Sequence, residues 1–183
     1  MAKLTDLETL RYPIGKLNIP KDVTPKQISQ WIDDVTLFPS NIKKLTQDLS
    51  EEKLQWKYRP EGWTIRQVVH HCADSHMNAF IRFKLTLTED TPTIKTYFED
   101  RWAELEDSKA PISISLSLLD GLHARWASLL KSMSEDDFKR KLFHPEQGRE
   151  LSLTFMLGLY AWHCNHHLAH IKQALEHEGS LNN

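Results

Sequence analysis

Apolar residues recur along most of this chain at steps of three and four rather than in alternation, the period of helices that bury one face. Four such segments stand out. The first opens at Thr24, an N-cap followed by Pro25, with Gln27 at the capping-box position and Val23 placed to staple onto Ile28. It is expected to run to about Leu49, with a kink at Pro39. The second repeats the signal with Thr64, Gln67 and the staple pair Trp63 and Val68, and continues to about Leu87. The third covers roughly Ser115 to Met133, its stripe made by Leu118, Leu119, Leu122, Trp126, Leu129 and Leu130. The fourth runs from about Leu153 to Glu178 and is stopped by Gly179.

Between the second and third segments, Thr88 to Asp100 reads as a long connection containing Pro92, followed by a short helical piece around Trp102 to Leu105. Strand-like β-branched runs are absent. The turns LSEEKL from Leu49 and MSEDDF from Met133 echo each other, as two helical hairpins would. The expected fold is therefore all-α: a four-helix bundle with a long crossover from helix 2 to helix 3. At 183 residues the chain is expected to form one domain, residues 1–183, with residues 1–22 an N-terminal extension packed on the bundle.

Composition adds exclusions. Hydrophobic residues make up 40% and charged residues 26%, enough apolar mass for a core. A formal charge of −2, with no Lys/Arg-rich run, leaves no basic surplus for phosphates, so no nucleic-acid partner is expected. The start lacks an apolar signal core, and the longest mostly apolar run, Phe155 to Trp162, is far short of the ~20 residues that cross a bilayer. A soluble, cytoplasmic protein with no membrane partner is expected, and two cysteines in no framework, Cys72 and Cys164, fit a reducing compartment. Walker, GxGxxG, GxSxG and HExxH motifs are all missing.

The chemistry lies in the histidines. Of 10, seven fall in two windows: His70, His71 and His76, then His163, His166, His167 and His170. His163 and His167 lie four apart, which puts their Cβ atoms about 5–6 Å from each other on one helical face. They continue the stripe Met156, Tyr160, Ile171 and Ala174. His166 and His170 form an alternative pair, rotated by about 100°. On the second helix His71 continues Val68 and Ser75, so it too can face inward. Three neutral imidazoles with an open fourth position make a catalytic coordination set for a divalent metal. Imidazole suits zinc, nickel, copper and iron alike. Asp74 shares a helical face with His71 and is the candidate base or outer-sphere carboxylate. His123, His144 and His177 read as packing or surface residues. Trp102 is the tryptophan expected to touch a substrate.

The segments RYPIG at Arg11–Gly15, GWTIRQVVHHCADSHMNAFIRFKL at Gly62–Leu85 and LGLYAWHCNHHLAHI at Leu157–Ile171 resemble the YfiT branch of the DinB-like proteins, over nearly the whole chain. The resemblance implies a four-helix bundle with a mononuclear site made by His71, the second histidine of VVHH, together with His163 and His167. It also implies zinc as the usual metal, nickel as another, and a homodimer. YfiT-like proteins are named metal-dependent hydrolases. Related DinB-like bundles are S-transferases that activate a low-molecular-weight thiol such as bacillithiol or mycothiol. The expected partner is a small-molecule substrate. Hydrolysis by an activated water is the first expectation and thiol transfer the alternative; a non-catalytic metal-binding bundle is a third.

Overall fold

A computed structural model describes residues 7–182; residues 1–6 and 183, and with them the start of the expected N-terminal extension, lie outside the described residues. The elements run α1 (Leu7–Arg11), α2 (Pro25–Thr46), α3 (Glu51–Leu54), α4 (Ile65–Thr88), α5 (Glu99–Trp102), a 3-10 turn (Glu106–Lys109), α6 (Ile112–Ser132), α7 (Glu135–Lys139), β1 (Lys141–His144), β2 (Arg149–Ser152) and α8 (Leu153–Glu176).

The helix starts follow their caps. The Thr24 hydroxyl accepts from the Gln27 backbone N–H, and Thr64 and Gln67 form a reciprocal capping box. The two echoed turns are both one-turn helices capped by serine, Ser50 before α3 and Ser134 before α7. α6 begins at Ile112, directly after Pro111 and earlier than the apolar stripe suggests. α8 ends at Glu176 with His177 as its C-cap, and the left-handed turn that follows starts one residue before the glycine, at Glu178 (φ 48°), and continues through Gly179 (φ 77°).

α2 packs on α6 and α8, and α4 packs on the same two helices. The first two long helices, α2 and α4, thus occupy a diagonal of the bundle, joined through α3. Phe38 and Ile42 of α2, Phe83 of α4, Leu119, Trp126 and Leu130 of α6, and Met156, Leu157 and Ile171 of α8 are almost fully buried between them. Each such side chain contributes roughly 1.5–3 kcal/mol of burial. Trp126 sits against Phe83 and Tyr160, ring centroids 5.5 Å away in each case.

The departure from an all-helical reading is the hairpin β1–β2, in which Leu142 pairs with Leu151 and both are buried. Strands of four residues hold too few positions for alternation to register, and Lys141 and Glu150 add a salt bridge on the outer face. The hairpin also fastens the crossover: Phe143 donates its N–H to the Pro92 carbonyl and accepts from Ile94. Farther along the same crossover, His70 and Arg66 both donate to the Ala110 carbonyl, and Gln67 donates to that of Ala103.

The segment from α1 through Gly15 lies on α8. Gln173, His170 and Trp162 donate to the carbonyls of Leu10, Arg11 and Gly15 respectively, so three α8 side chains hold one short stretch of backbone. Among the described residues no helix is long and apolar enough to cross a membrane.

Candidate metal centre

α4 and α8 are neighbouring helices of the bundle, and each projects histidines into the gap between them. His71 of α4 meets His163 of α8 with Nε2 atoms 3.2 Å apart. The His71 and His167 ring centroids lie 4.9 Å apart, and those of His163 and His167 4.4 Å. One ring nitrogen from each residue falls within 4.8 Å of the other two. A tetrahedral ion with metal–nitrogen bonds near 2.05 Å separates its ligand nitrogens by about 3.3 Å. The His71–His163 spacing has that dimension, and the donor set is one that zinc-like ions take.

The electrostatics agree. Burial holds His163 and His167 well below the ordinary histidine range, the neighbouring imidazoles adding to the effect. Burial, with His166 nearby, pushes His71 down to about 4. All three rings are therefore neutral at pH 7, with a lone pair available to each.

The other histidines divide. His166 and His170 do not join this cluster; His170 stacks on Tyr58 at 3.7 Å between centroids and His166 on Trp162 at 4.2 Å. His70 binds Ser115 and the crossover instead. His76 and His123, which the sequence left unassigned to the site, form a hydrogen-bonded line that ends on His163.

A cavity of about 280 Å³ opens beside His167, lined by Arg11, Tyr12, Tyr58, Arg59 and Trp63 together with the carboxylates Glu61, Glu99 and Asp100. The Trp63 ring lies 4.6 Å from that of His71. Trp63, rather than Trp102, is the tryptophan of the cavity wall; Trp102 packs on Tyr97. The rim carboxylates were hidden in the sequence because Glu61 belongs to a turn and Glu99 and Asp100 to the crossover, with no periodicity tying them to α8. Their neighbourhood to the HHLAH segment is tertiary.

Asp74 lies one turn along α4 from His71, outside both the three-histidine cluster and the cavity lining. Partial burial, and the charge of Asp107, push its carboxyl up to about 6. Its backbone carbonyl, rather than its carboxylate, takes the Asn78 amide. Cys72 and Cys164 are buried free thiols whose pKa burial raises, so neither supplies a thiolate.

A helical bundle whose facing helices converge three neutral imidazoles beside a polar cavity belongs to the class of four-helix metal-site bundles. Residues 36–171 match the family model of the DinB superfamily, and the chain belongs to that superfamily. It is 50% identical over 165 residues to a Bacillus cereus protein named "putative metal-dependent hydrolase", covering 90% of this chain and 95% of the relative. A Bacillus thuringiensis relative with the same name is 49% identical over the same length. Among solved structures, YfiT from Bacillus subtilis superposes with a TM-score of 0.90 at 45% identity, over 93% of this chain and 98% of that one; it is described as "a probable metal-dependent hydrolase with an unusual four-helix bundle topology". The mycothiol-dependent maleylpyruvate isomerase shares the fold alone, with a TM-score of 0.54 at 16% identity over 84% of this chain and 60% of that one.

Proposed function

We propose that this protein is a metal-dependent hydrolase of small-molecule substrates, with His71, His163 and His167 as the ligands of one divalent ion, zinc before nickel. The observation that carries the reading is the convergence of three neutral ring nitrogens within 4.8 Å beside a cavity large enough for a small substrate. The names of the Bacillus relatives support it. Bound there, such an ion supplies Lewis acidity and lowers the pKa of a coordinated water toward about 7.

The chain's own groups have complementary tasks. Arg11 and Arg59 supply two cations among the cavity's carboxylates that can hold an anionic group of a substrate, and the rings of Tyr12, Tyr58 and Trp63 cover its apolar part. Proton transfer falls to a carboxylate. Asp74 has the pKa for it, near 6, and Glu61, Glu99 and Asp100 have the placement, since they share the cavity with His167. We further infer a cytoplasmic homodimer. Buried free thiols suit a reducing compartment, and exposed Ile114 and Leu118, one turn apart on α6, offer an apolar patch for a second copy.

The test is metal content of untagged protein beside His167→Ala, followed by hydrolysis assays with chromogenic esters, amides and phosphoesters. About one zinc or nickel per chain, lost in the variant, with metal-dependent turnover of one substrate class, is the expected result. A parallel arm with a low-molecular-weight thiol and an electrophile reads thiol transfer; conjugation there without hydrolysis would replace the hydrolase reading.

A further inference from the structure

The hydrogen bonds behind the three-histidine cluster fix where its protons sit. The Val35 carbonyl of α2 is buried, and its helical partner four residues on is Pro39, which has no N–H. That orphaned acceptor takes a hydrogen bond from His123 Nδ1 at 2.6 Å. A carbonyl only accepts, so the proton of His123 is on Nδ1 and its Nε2 carries a lone pair. His123 Nε2 faces His76 Nδ1 at 2.8 Å, so His76 donates from Nδ1 and accepts at Nε2. His76 Nε2 faces His163 Nδ1 at 3.0 Å, so His163 donates from Nδ1, which leaves its Nε2 lone pair pointing at His71.

A second line repeats the logic from the opposite side. The Arg11 carbonyl, at the C-terminal end of α1, accepts from His170 Nε2 at 3.1 Å. His170 Nδ1 is then an acceptor, and it faces His167 Nδ1 at 3.4 Å. His167 therefore donates from Nδ1 and is left with its lone pair on Nε2.

We infer that His76, His123 and His170 are positioning residues: two imidazole relays, each anchored on a backbone carbonyl, lock His163 and His167 as Nε2 ligands before any ion arrives. This rests on the metal reading above for its purpose, but the proton positions are a property of the metal-free chain. Pre-set tautomers spare the site a rearrangement on metal uptake, and an imidazole accepting from the outer nitrogen of His163 makes that ring a stronger donor. The relay also accounts for Pro39. A proline in the middle of a core helix costs one backbone hydrogen bond, and its position opens the carbonyl that His123 requires.

The test begins with long-range proton–nitrogen correlation spectra of the metal-free protein labelled at histidine, at pH 7.5. His163 and His167 are expected as Nδ1–H tautomers. An Nε2–H tautomer at either overturns the inference for that relay, whether or not the protein binds metal. The second arm measures zinc affinity by chelator competition, and the cobalt absorption spectrum, in His76→Leu and His76→Gln. The leucine variant removes the acceptor, so His163 should become a mixture of tautomers and zinc should bind about 10–100-fold more weakly. The glutamine variant keeps an amide oxygen for the His163 proton and should restore the tautomer and most of the affinity. A purely structural His76 would leave the tautomer of His163 and the cobalt spectrum unchanged in any variant that folds, and that result overturns the proposal. If the leucine variant does not fold, the glutamine variant and the wild-type spectra still decide it. The expected tautomers in a wild type that binds no zinc would reject the metal reading, and with it the purpose assigned to the relays.

Discussion

The Nε2 atoms of His71 on α4 and His163 on α8 stand 3.2 Å apart, each carried by a long helix that is anchored in the core on both sides of the contact. Val68 and Cys72 flank His71, and Tyr160 and Cys164 flank His163; all four are buried. The pair is held by packing, so it survives without an ion.

Removing a ligand should therefore abolish metal binding while leaving the fold. His167→Ala is expected to lower zinc affinity by more than 100-fold, beyond the 10–100-fold typical of losses behind the ligands. A ligand at 100 times its Kd stabilises the folded state by about 2.7 kcal/mol. Zinc at that excess should raise the melting temperature of the wild type and leave that of the variant where it was. Scanning calorimetry with and without zinc checks this, and an equal rise in both proteins would remove His167 from the site.

Acid should unfold the metal-free protein by way of its buried histidines. Burial pushes His123 down to about 4 and His71 to about 4, against 6.5 in an unfolded chain. The unfolded state then binds more protons between those values, so stability is full above pH 6.5 and falls as pH drops toward 4. The window lies above that of the ordinary carboxylates. Urea midpoints between pH 7.5 and 4 should decline across it, and His123→Gln should flatten part of the decline. A midpoint constant from pH 7 to 5 would contradict the neutral buried state of these rings.

Gly158 of α8 faces the side chains of Ile19 and of Trp31 on α2. A Cβ there would come within 2.6 Å of the Ile19 side chain and 3.0 Å of Trp31. Gly158→Ala is expected to destabilise the protein by roughly 1–3 kcal/mol, the usual range for overpacking. It should do so with zinc affinity intact, because the site lies farther along α8. Denaturant melts beside a zinc titration separate the two effects.

Residues that act through their own helix were legible in the sequence, and those that act through another element were not. Thr24 and Thr64 announce helix starts because a cap is a local device. His71, His163 and His167 could be chosen because each continues an apolar stripe, and the structure brings those three together. His123 was readable only as a packing or surface residue, since its partners come from α2 and α4; nothing in the third segment points to them. Pro39 illustrates the same limit. Its place in the helix suggested a kink, but what it does is set by His123, which lies far away in sequence. The hairpin at 141–152 escaped because Leu142 and Leu151 are paired across a turn, and each strand alone carries only one fully buried apolar residue.

Asp74 and the rim carboxylates make opposite predictions, and together they locate the proton acceptor. A carboxyl pushed up to about 6 is one the folded state prefers protonated. Ionised Asp74 therefore costs stability above pH 6, and that cost fades as pH falls from 6 toward 3.8. Asp74→Asn should stabilise the protein at pH 8 by about 1 kcal/mol, after the screening that half exposure brings, and should be neutral near pH 4. If Asp74 takes the proton during turnover, the same change should lower kcat by about 10²–10⁴ and remove an acid limb near pH 6 from the rate profile. If a rim group takes it, Asp74→Asn should keep its activity while Glu61→Gln, Glu99→Gln or Asp100→Asn loses a comparable factor. The stability gain is expected in either case, so one pair of measurements on Asp74→Asn, melting against pH and rate against pH, separates a strained bystander from a base.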